Sequence, residues 1–95
     1  MSALKLYETL SGISGDMVLA AEVGDWDRLI ELERTVARLR DQLSAADAGA
    51  NLNDAERAHK VHLIKRILAD DRKVRSFTEP WMEQVRRFLG DATPG

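Results

Sequence analysis

The chain has 95 residues, 44% apolar and 32% charged, with two prolines, no cysteine and a formal net charge of −2. This composition fits a helical protein with one core and excludes disulfides and thiolate metal sites. With no apolar run near 18 residues and no basic, apolar leader in Met1–Tyr7, the expectation is a cytoplasmic protein (cytosol) of a single domain, 1–95, with no membrane insertion. The charge is divided. Residues 1–53 carry nine acids against five bases, and residues 54–95 carry nine bases against seven acids. That excess is too small to point to nucleic acid.

The first predicted helix covers 3–23. Leu6, Leu10, Ile13, Met17 and Ala20 recur at steps of four and three, a seam for one partner helix. Tyr7 flanks the seam, with its hydroxyl expected in solvent. Gly12 and Gly15 weaken the helix or permit close approach; the pattern leaves both open. Gly24-Asp25 then closes one helix and caps the next, and so short a turn forces an antiparallel hairpin. Trp26 is expected to seal that end against Val23 and Ile30. The second predicted helix covers 26–46, with Leu29, Leu32, Val36, Leu39 and Leu43 as its stripe. Ser44–Leu52 reads as the one clear loop.

The third predicted helix covers 54–89. Asn53 and Glu56 have the spacing of a capping box, and Gly90 suits its end. At 1.5 Å per residue it is roughly 54 Å long, against roughly 30 Å for the others, so part of it must overhang. Val61, Leu63, Ile64, Ile67 and Leu68 read as bundle core. Asp70-Asp71 interrupts the stripe, which resumes with Val74, Phe77, Trp81, Val85 and Phe88. Pro80 removes one hydrogen bond and crowds the carbonyl of Ser76, so a kink is expected there. Residues beyond about Val74 are expected to overhang, fold back or pair with a second chain. Residues 91–95 read as a flexible tail. The fold class is therefore all-α: an antiparallel bundle of three helices with a long third helix kinked near Pro80.

No catalytic constellation is present. Glu56, His59 and His62 stand at steps of three, and Glu56-x-x-His59 has the carboxylate–histidine spacing of di-iron bundles. No second such motif accompanies it, so no metal is expected. There is no phosphate loop, dinucleotide turn or nucleophile elbow, and neither an enzyme nor a cofactor is expected. A surface function remains, because large exposed apolar patches mark interaction sites.

Tyr7 and Leu10, then Gly24-Asp25-Trp26-Asp27 with Leu29-Ile30 and Glu33, then Ile67-Leu68-Ala69-Asp70-Asp71 with Lys73-Val74, and Met82, Val85 and Leu89-Gly90 carry a resemblance. In order and spacing the chain resembles the flagellar export chaperone FliT family. The resemblance implies a cytosolic helical bundle that binds the filament cap protein FliD before its export through the flagellar type III system. It also implies contacts with the export apparatus (the ATPase complex and FlhA) and, in some relatives, with the flagellar master transcription regulator. The family's further C-terminal helix over the binding groove has no counterpart before Gly95, and Pro80 is a second departure. On this reading a cap-protein segment lays an amphipathic helix into an apolar groove. Leu39, Leu43, Ile67, Val74, Phe77, Trp81, Val85 and Phe88 are the candidate partner-binding residues. Two other readings stay open: a structural homo-oligomeric bundle, such as a homodimer, with no client, and a regulator acting through the basic face around Arg72, Lys73 and Arg75.

Overall fold

A computed structural model describes residues 2–90. The expected tail, 91–95, lies outside the described residues. Three helices are present: α1 (Ala3–Val23), α2 (Trp26–Ala48) and α3 (Asp54–Gly90). Each start follows from local chemistry. The Ser2 hydroxyl accepts from the Lys5 amide, and the Asp25 carboxylate accepts from the Arg28 amide. At α3 the cap is reciprocal: Asn53 Oδ1 accepts from the Glu56 amide at 2.8 Å, and Glu56 Oε1 accepts from the Asn53 amide at 3.2 Å. Gly24 ends α1 in the left-handed region at φ 72°, and the amides of Gly24 and Asp25 return to Ala21 and Ala20 as a Schellman motif.

The bundle is antiparallel between α1 and α2, while α3 runs parallel to α1. Glu8 meets His59 and Tyr7 meets Lys60 near one end, and Ser14 meets Asp70 further along. The middle helix is α1, which packs on both others. Among the described residues no Cα of α2 comes within 8 Å of one in α3. A single seam on α1 is therefore the wrong expectation. Leu6, Leu10 and Ala20 are buried, but so are Ala3, Tyr7, Ser11, Ser14, Val18 and Ala21, while Ile13 and Met17 are half-buried. Two partners need two faces, and small residues let both come close.

Gly12 and Gly15 are not points of close approach, because a Cβ added at either meets nothing within 4 Å. Gly12→Ala and Gly15→Ala should therefore each stabilise the chain by about 0.5–1 kcal/mol through reduced freedom of the unfolded state. Thermal melts followed by circular dichroism check this; a lowered melting temperature would show that something covers that surface in solution.

Four other expectations are corrected. Alanine favours helix, so α2 continues through Ala48 and the loop shortens to 49–53. Val23 is 79% exposed, and Trp26 instead stacks on Trp81 of α3, with ring centroids 5.2 Å apart and planes at 29°. Val61 and Leu68 are exposed rather than core, because α3 touches the bundle on one side only. Asp70-Asp71 does not split α3 into separate parts. Asp70 Oδ2 lies 2.7 Å from the buried Ser14 hydroxyl, which is itself 2.8 Å from the Ser11 carbonyl, so Asp70 joins α1 to α3.

Pro80 lies inside α3. The molecule is 56 Å long, about the length of a 37-residue helix, so the last turns do not fold back on the bundle. The overhang is shorter than expected. It starts after Trp81, because α3 begins level with the start of α1 and the bulk of Trp26 extends the hairpin to meet it.

The other end is held by a polar cluster. Asp47 accepts from the Tyr7 hydroxyl at 3.3 Å and from Lys60 Nζ at 3.0 and 3.2 Å, with the ammonium 5.3 Å from the Tyr7 ring centroid. Tyr7 is thus buried with its hydroxyl bonded, not solvated. The hydrogen bond to Asp47 raises the Lys60 pKa above its ordinary value, against a smaller opposing effect of desolvation. A raised lysine pKa contributes stability in full below the unfolded-state value and loses it as pH rises through the folded value. The contribution of Lys60 should therefore be complete and independent of pH near neutrality, and be lost in the alkaline range. Denaturant titrations at neutral and strongly alkaline pH should show a larger fall for the natural chain than for Lys60→Met; equal falls would remove this cluster as a fastening.

Candidate functional site

Because the backbones of α2 and α3 stay more than 8 Å apart, a groove of about 450 Å³ opens between them with α1 as its floor. Leu10, Ser14 and Met17 form the floor. Glu33, Val36, Ala37 and Arg40 form the α2 wall, and Ile67, Leu68, Asp71, Val74 and Arg75 form the α3 wall. Each set steps by three and four, so each is one face of its helix. A second pocket of about 420 Å³ shares Arg40 and carries the α2 wall on through Leu43, Ser44 and Asp47 over Tyr7. The surface thus runs along α1 toward the Asp47–Lys60 tie. Its other end is closed by the Trp26–Trp81 stack. These side chains bridge helices whose backbones stay apart, and they set the width of the groove from both ends.

The floor and walls are mainly apolar, and the charged residues of the two walls form the rim. Arg75 and Asp71 pair at 2.6 Å, one turn apart on α3, with both side chains largely in solvent. A pair so exposed adds little stability. It leaves both charges able to orient an arriving partner. Glu33 and Arg40 supply the α2 rim.

The structure places the candidate residues in two groups. Leu43, Ile67 and Val74 line the grooved surface, and Val74, only 5% exposed, is shared with the core. Trp81 belongs to the tryptophan stack, and Val85 and Phe88 continue the same face of α3 beyond it, where Phe88 is 82% exposed. Phe77 is exposed between the two groups. Leu39 is half-buried and lines neither pocket. Leu10, Met17, Val36 and Leu68 line the groove without having been candidates. Their periodicity shows that they are apolar-face residues, but not that two helices stand apart over them.

The groups with chemical potential are engaged structurally. Glu56 caps α3, and His59 lies 3.3 Å from Glu8 across the α1–α3 junction. Among the described residues no three acidic, histidine or cysteine side chains converge as metal ligands.

The family model described as flagellar protein FliT matches residues 4–95. Among solved structures, the flagellar protein FliT from Bordetella bronchiseptica is similar, with a TM-score of 0.83 and 26% identity over 90% of this chain and 97% of that one. Comparison with curated proteins by sequence gives no match.

Proposed function

The chain belongs to the FliT family of flagellar proteins, and from this we propose that it is a cytosolic export chaperone for the filament cap protein FliD. The client's C-terminal segment, unfolded before assembly, would form an amphipathic helix in the groove between α2 and α3 and cover the exposed strip beyond Trp81. The observation that carries this reading is the separation of α2 from α3, which leaves an apolar channel on an otherwise packed bundle. Helix-in-groove recognition needs such a channel, with anchors at steps of three and four. Burial there would shield the client's assembly surface until delivery to the export ATPase complex and FlhA. A contact with the flagellar master transcription regulator is a further part of the proposal.

Trp81→Ala should weaken binding of a FliD C-terminal peptide by about 2 kcal/mol, roughly 30-fold, since aromatic anchors dominate such interfaces. Calorimetry measures the binding, and circular dichroism should show unchanged helix content. Unaltered affinity would sink the groove assignment. The exposed Phe88 favours a second reading, a homodimer or larger homo-oligomer without a client. It requires sedimentation that rises with concentration and no affinity for the peptide.

A further inference from the structure

The back of α3, facing away from the groove, carries a second surface. Ala69 is exposed at its centre, and the four positions three and four residues away are all cations: Lys65, Arg66, Arg72 and Lys73. On a helix these neighbours stand about 5–6 Å from the centre between Cβ atoms, so the bases ring a small apolar saddle. All four are exposed.

Among the described residues the ring has no counter-ion. Elsewhere on α3, Arg57 pairs with Asp54, Lys60 with Asp47, Arg75 with Asp71 and Arg87 with Glu83. The two acids beside Ala69 are committed elsewhere, Asp70 to Ser14 and Asp71 to Arg75. Among the described residues no ion pair or hydrogen bond involves the side chains of Lys65, Arg66, Arg72 or Lys73. Grouped like charges repel, and an outside anion relieves the repulsion.

We propose that this ring docks an acidic helix of a partner protein, with carboxylates against the four cations and a small residue over Ala69. The saddle permits helix backbones to approach closely, and the charges fix register and speed encounter. The overall charge of −2 opposes attraction to nucleic acid, which makes a protein segment the better complement. Docking here leaves the groove open, so two proteins could be held at once.

The probe is a synthetic helical peptide with four glutamates set three and four residues either side of a central alanine. The control has the same composition with the glutamates spread around the helix. Titration into isotope-labelled protein, read by amide NMR, should give shifts centred on residues 65–73. The control should bind at least about tenfold more weakly, and both should weaken as salt rises. Arg66→Glu with Arg72→Glu should abolish the shifts while helix content is kept, and the milder Arg66→Gln with Arg72→Gln should reduce affinity. Equal affinity for the two peptides, shifts in the groove instead, or tighter binding of a duplex oligonucleotide at the same residues would overturn the proposal.

Discussion

Leu6→Ala lowers the stability of the chain by about 2–5 kcal/mol, a large fraction of the roughly 5–15 kcal/mol typical of a small protein. Leu6 is 1% exposed, the most deeply buried large side chain described. It sits on α1, the helix that both others use as their platform. Truncation leaves a cavity that cannot close by shifting one helix, because α1 is held from two sides. Urea denaturation followed by circular dichroism measures the effect. Phe88→Ala is the contrast: at 82% exposed it should change stability by no more than about 0.5 kcal/mol. A similar effect at both positions would show that the core does not lie along α1.

Leu68→Asp should cost client binding about 2–3 kcal/mol, roughly 30- to 150-fold, while leaving the fold intact. Leu68 is 52% exposed on the α3 wall of the groove, so an aspartate there remains solvated in the free chain. A helix lying in the groove would strip water from that carboxylate beside Ile67 and Val74. On the groove rim Arg75 already pairs with Asp71, while Lys65 and Arg72, at i−3 and i+4, lie toward the back of α3. Calorimetry with the FliD C-terminal peptide gives the affinity, and a thermal melt separates lost binding from lost folding. Undiminished binding would move the client off the groove, and the strip from Val85 to Phe88 would become the place to look.

The helices were legible because their signals are local. Ser2, Asp25 and Asn53 with Glu56 cap within one turn, and Gly24 ends a helix through its own backbone freedom. The apolar steps of α2 named Leu29 and Leu32, which are buried. The same steps put Leu68 in the core, which was wrong, because periodicity gives the direction of a face and not what lies opposite. Asp70 looked like a break in the stripe for the same reason. Its partner, Ser14, is 56 residues away, and nothing in either residue's neighbourhood announces the other.

The sequence by itself determined that three helices form, where they start, that the turn at Gly24 makes a hairpin, and that the third helix is too long for its neighbours. Caps, glycine conformation and apolar spacing act within a few residues and need no tertiary contact. Only the tertiary structure decided that α1 is the middle helix, that α2 and α3 stand apart over it, and that Trp26 reaches Trp81. Small residues on two faces of α1 let both partners pack against it, and no short-range signal states which helix will be shared. The groove is a consequence of that sharing: two helices fastened to a third at their ends, with their facing walls left to whatever binds between them.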